Sequence, residues 1–103
     1  MKRSHFPDLI RRLPEFDGPF DAFRLAAEGC EVLFASYPAG TSIATHTHAT
    51  RNVGVITEGE LVLTKGSDVS RYGPGDWYEV DANEEHAARF DVNTSEIEFW
   101  FTV

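Results

Sequence analysis

Sulfur and positive charge are both scarce in this chain. One cysteine, Cys30, occurs in 103 residues, so no internal disulfide can form and a disulfide scaffold is excluded. Nine Lys+Arg stand against seventeen Asp+Glu, a net charge of −8. Phosphate backbones need a basic face, so no nucleic-acid partner is expected. The same imbalance gives no long-range pull on anionic substrates, although one arginine can hold an anion locally. No apolar run approaches the ~18 residues of a membrane-spanning helix, so no membrane partner is expected. The opening stretch, Met1-Lys2-Arg3-Ser4-His5-Phe6-Pro7-Asp8, lacks the apolar segment of a secretory signal. With a lone cysteine, this points to a reducing, cytoplasmic location. Cys30 has no visible thiolate-activating partner and reads as a small packed residue. Asn93-Thr94-Ser95 matches a glycosylation sequon, which without a secretory signal reads as a turn.

Repeats and low-complexity stretches are also missing, and the length fits one domain. Residues 1–19 hold three of the five prolines, Pro7, Pro14 and Pro19. Between the first two, Asp8 to Leu13 has room for one or two helical turns, in an arm lying over the domain edge. His5 reads as a surface residue of this arm. After residue 20 no 3.6-residue apolar stripe exists, so an α/β fold is not expected. Period-two runs take its place, at 20–27, 30–37, 42–48, 52–57, 60–65, 69–72, 77–80, 85–91 and 96–103. Turn signals such as Pro38-Ala39-Gly40, Glu58-Gly59, Lys65-Gly66-Ser67-Asp68 and Gly73-Pro74-Gly75-Asp76 separate them. Short strands at this spacing predict an all-β sandwich or barrel over residues 20–103. The last run alternates best. Ile97, Phe99, Phe101 and Val103 are read as its core face. Glu96, Glu98, Trp100 and Thr102 share the other, where Trp100 is available to cover a partner or a second layer.

Three of the four histidines form a pattern. His46 and His48 are two apart, and in a strand such residues share a face. Neutral imidazole is the commonest transition-metal ligand, and two side by side suit one ion. His86 begins a later run and can supply a third donor. An isolated His-x-His pair is otherwise a surface or core feature. Here it sits in a longer pattern. Gly40 is followed after five residues by His46-Thr47-His48, after three more by Asn52, and after six more by Gly59. Gly73-Pro74-Gly75-Asp76 precedes His86 in a second stretch.

These two stretches resemble the two motifs of the cupin superfamily, G-x5-H-x-H-x3,4-E-x6-G and G-x5-P-x-G-x2-H-x3-N. Gly40, His46, His48 and Gly59 match the first, with Asn52 in place of its Glu. Gly75 and His86 match the second, where Asp81, Asn83 and Phe90 replace its Pro, Gly and Asn. The resemblance covers residues 40–90. It implies a single-domain jelly-roll barrel, a double-stranded β-helix, often dimeric. It also implies one divalent transition metal ion (Fe, Zn, Ni or Mn) held by His46, His48, His86 and a further side chain, for which Asn52 is the candidate.

Asn offers only a neutral oxygen and a shorter reach than Glu. Three neutral imidazoles leave the full +2 charge of an ion for substrate and water, at some cost in metal affinity. Parity places Ser42 and Ala44 with the first histidine pair, Gly54 and Ile56 with Asn52, and Ala88 and Phe90 with His86. Arg51, Arg89 and Tyr78 are candidate substrate contacts, although the two arginines have the opposite parity from the ligands. No general base is evident. Small-molecule chemistry is therefore expected. One reading is an isomerase or lyase acting on a small hydroxy-carbonyl or sugar-acid-like compound, and another is an Fe(II) dioxygenase. A non-catalytic ligand-binding or sensing barrel is the alternative. The Phe-rich segments 16–23 and 97–101 offer surface for a homodimer.

Overall fold

The structure, a computed structural model, describes residues 6–102; His5 and Val103 lie outside them. Among the described residues nine strands follow a single helical turn, α1 (Asp8–Arg11). They are β1 (Asp21–Ala27), β2 (Cys30–Tyr37), β3 (Thr41–His46), β4 (Arg51–Glu58), β5 (Leu61–Lys65), β6 (Asp68–Tyr72), β7 (Trp77–Val80), β8 (His86–Phe90) and β9 (Thr94–Phe101). They form two antiparallel sheets, ordered β1-β2-β9-β4-β7 and β3-β8-β5-β6. This is an all-β jelly roll, and each strand falls on one of the period-two runs.

The turns sit where glycine punctuates the sequence. Gly59 closes the β4–β5 turn at φ +85°, and a Cβ there would collide with the Asn93 carbonyl and Thr94. Only glycine meets both conditions. Asn93, the sequon residue, accepts the Ala39 N–H on its Oδ1 at 2.8 Å, so its side chain ties two loops together.

The arm crosses the edge of β1. Pro14 O accepts from Arg24 N at 2.8 Å, and Glu15 bridges to Phe23. Phe6 is buried edge-on against Phe34, at 5.8 Å between ring centroids. Phe16 packs on Phe20, and Phe20 on Tyr37. Between the sheets, Leu33, Ala35, Ile56, Leu61, Leu63, Val80 and Phe90 form the core.

Strand β9 alternates as expected but with its faces reversed. Glu96 and Glu98 are buried, each 2 % exposed, and point between the sheets with Trp100. Ile97, Phe99 and Phe101 are only half-buried, on the outside of the five-stranded sheet. Phe34, Ile97, Val55 and Trp77 form one cross-strand row there, and Leu25, Val32, Phe99 and Val53 the next. Hydrophobicity alone did not choose the core side because that outer face is itself apolar. The acids tolerate the inside because they find hydrogen-bond donors on other strands.

Candidate metal centre and the cavity behind it

A cavity of about 560 Å³ opens between the sheets, a usual size for a small-ligand pocket. His46 and His86 line it, and His48 stands beside them. One ligand nitrogen from each lies within 4.8 Å of the others. Ring centroids are 4.3 Å apart for His46–His86, 4.7 Å for His48–His86 and 5.8 Å for His46–His48.

Backbone carbonyls orient all three rings. His46 Nδ1 donates to Ala44 O, His48 Nδ1 to Thr50 O and His86 Nδ1 to Glu84 O, each at 2.8 Å. A carbonyl can only accept, so each Nδ1 carries a proton, and in the neutral ring the Nε2 lone pair is left for a metal. This is the usual way a second-shell group prepares a histidine for a metal. His48 Nε2 is buried with no hydrogen-bond partner, a cost unless an ion or ligand meets it. Three neutral imidazoles also suit a transition ion rather than Ca²⁺ or Mg²⁺. Desolvation holds His86 below its usual range; the Glu84 carbonyl opposes it and the neighbouring His46 and His48 add to it, so the neutral form is favoured.

The histidines do not meet as one regular strand would place them. Strand β3 ends at His46, and His48 lies beyond it, ahead of β4. Within β3 the pairing shifts. Ile43 opposes Ala88 and His46 opposes His86, so three steps on β3 match two on β8. That β-bulge breaks the strand parity that tied Ser42 and Ala44 to His46, although both still line the cavity. Both are exposed, and Ile43 packs against the core. Gly54, Ile56, Ala88 and Phe90 do face inward beside Asn52 and His86.

Asn52 is buried on the cavity wall, where its Nδ2 donates to Phe99 O at 3.3 Å. Arg51 turns outward to Glu79 and Asp81, and Arg89 to Asp91. Tyr78, the third candidate contact, does line the cavity.

The deep end holds groups that the sequence did not single out. Tyr37 Oη donates to Glu98 Oε2 at 2.5 Å, and Trp100 Nε1 to Glu98 Oε1 at 3.1 Å. Tyr78 Oη donates to Glu96 Oε1 at 2.8 Å. Glu96 Oε2 is buried and has no partner. Burial first, and the Glu98 carboxylate second, push Glu96 well above the ordinary carboxylate range. Burial and the same acids push both tyrosines up, so they remain donors. Trp100 joins the two ends of the cavity, with its ring 4.9 Å from His48 and its N–H on Glu98. The only cue in the sequence was the i, i+2 spacing of Glu96, Glu98 and Trp100, which a solvated strand face shares.

The architecture and the histidine triad lead to one family. A sequence profile of the cupin domain matches residues 33–102.

The chain belongs to the cupin superfamily.

Solved cupins share the fold at low identity. An RmlC-like cupin from Shewanella frigidimarina is 18 % identical with a TM-score of 0.75, over 86 % of this chain and 82 % of that one. Ectoine synthase from P. lautus is 17 % identical with a TM-score of 0.79, over 94 % of this chain and 78 % of that one. KdgF from Halomonas sp. is 15 % identical with a TM-score of 0.73, over 86 % of each chain. Among curated proteins no sequence matches this cupin. Among the described residues no helix is long and apolar enough to cross a membrane. The histidines His46, His48 and His86 of this cupin could hold a metal ion.

Proposed function

We propose that this cupin binds one divalent transition metal ion (Fe, Zn, Ni or Mn) on the Nε2 atoms of His46, His48 and His86 and uses it as an enzyme on a small hydroxy-carbonyl compound. The observation that carries the reading is the set of three rings with Nδ1 committed to carbonyls and one ligand nitrogen of each within 4.8 Å of the others. An ion bound there supplies Lewis acidity toward carbonyl and hydroxyl oxygens or, as Fe(II), a centre for O₂ chemistry. Asn52 is the proposed fourth ligand through Oδ1, since its Nδ2 is committed to β9. A carboxylate-bearing, sugar-acid-like substrate is the less favoured form, because no Lys or Arg among the described residues lines the cavity.

The test is elemental analysis of the purified protein beside a His46→Ala/His86→Ala variant. Near-stoichiometric metal that vanishes in the variant supports the centre. Iron with substrate-dependent O₂ uptake then assigns a dioxygenase, and Zn, Ni or Mn without uptake an isomerase or lyase. Wild-type protein that stays metal-free after incubation with all four ions would overturn the enzyme reading in favour of a ligand-binding barrel.

The outer face of the five-stranded sheet supports a homodimer. Its apolar rows end in Leu25 and Trp77, which are 46 % and 57 % exposed. Trp77→Glu is expected to shift the protein to a monomer in light scattering. A wild-type monomer at micromolar concentration would remove the proposal. Free Cys30 agrees with the cytoplasmic location proposed for the chain.

A further inference from the structure

The carboxylates at the deep end have no counter-charge. Among the described residues no Lys or Arg pairs with Glu96 or Glu98, and none lines the cavity. Among the described residues that line the cavity, the two glutamates are the only acids. Glu98 is satisfied, with Tyr37 on one oxygen and Trp100 on the other. Glu96 is not. Tyr78 serves Oε1, while Oε2 is buried with no hydrogen-bond partner, and Glu96 is one of the residues that line the cavity. With no cation present the pair avoids two buried charges by keeping a proton on Glu96, and an ammonium group at Oε2 would take that proton's place. The walls between the carboxylates and the histidines include Ile43, Leu61, Leu63 and Phe90, which suit an alkyl chain.

We propose that Glu96 and Glu98 form a subsite for a primary ammonium group seated on Glu96 Oε2. The ligand of this cavity is then a small amine with an oxygen-bearing end at the histidines. The oxygen end rests on the metal reading above, and the ammonium end stands without it.

The probes are n-butylammonium, its neutral counterpart n-butanol, and the anion butyrate. The readout is the indole N–H resonance of Trp100, which donates directly to Glu98. Trp77→Phe assigns it, since the chain has two tryptophans. Butylammonium is expected to shift this resonance saturably and to bind about tenfold more tightly than butanol, the increment of a charge-assisted hydrogen bond. Glu96→Gln and Glu98→Gln keep the side-chain shape, and each is expected to lose that advantage while keeping bound metal. His46→Ala/His86→Ala is expected to lose metal and keep butylammonium. Failure of the metal reading would thus leave a metal-free wild type that still binds the amine. Butyrate binding as tightly as butylammonium would overturn the proposal. So would the absence of a saturable shift, or butylammonium affinity unchanged in both glutamine variants.

Discussion

The two ends of the cavity solve the problem of a buried polar group in opposite ways. At the rim, imidazoles stand on irregular backbone, a bulge in β3 and the segment ahead of β4, and main-chain carbonyls orient them. At the deep end, carboxylates stand on the regular strand β9, and side chains from β2, β7 and β9 hold them. The rim leaves lone pairs free and is partly open to solvent. The deep end is closed and is short of one partner, at Glu96 Oε2. A backbone-held site survives many substitutions around it. A side-chain-held site depends on each donor, because losing one strands a buried acceptor.

That contrast is sharpest in metal affinity. His86→Ala should lower it by at least a hundredfold, read by competition with a chelating dye. Glu98→Ala, on the same assay, should leave it nearly unchanged.

Stability should respond at the other end. Gly54 has no Cβ because the Tyr78 ring occupies that space. Gly54→Ala should therefore push Tyr78 off Glu96 and cost about 1–3 kcal/mol, read by urea unfolding. Tyr78→Phe removes the donor alone and should cost about 1–3 kcal/mol, the lower part of the range if water replaces the hydroxyl.

The pH dependence should also differ between the ends. Glu96 ionises at a higher pH in the folded chain than in the unfolded one, so above roughly pH 4.3 the native state holds the extra proton. Its contribution therefore falls as pH rises through that window. Glu96→Gln should flatten this slope in urea midpoints taken across pH. His86 has the opposite sign. Its folded value lies below the unfolded one, so metal-free protein should lose stability as pH falls through about 6.5 and below.

The smallest effect is expected at Asn52, which faces both ends. Asn52→Ala should weaken metal binding by about tenfold, whether the amide ligates or only orients. Asn52→Asp should strengthen it by restoring an anionic oxygen.

The same contrast explains what the sequence disclosed. The nine strands were legible because period-two runs and glycine turns are local. The histidines were legible because their spacing is. Strand β9 was misread because Ile97, Phe99 and Phe101 are apolar on a face that is also largely apolar across four neighbouring strands. The role of Glu98 was illegible because its donor Tyr37 lies 61 residues away. The parity assigned to Ser42 and Ala44 presumed an unbroken strand, and the bulge leaves both exposed at the edge of the cavity they line.

The bulge in β3 carries one last consequence, for insertions and deletions. Removing Ala44 or Thr45 would restore a regular ladder and still leave Ile43 opposite Ala88 and His46 opposite His86. It would also take away the carbonyl geometry that accepts the His46 Nδ1 proton. A chain one residue shorter at this point would keep its third imidazole at the right address and lose control of which nitrogen answers the door.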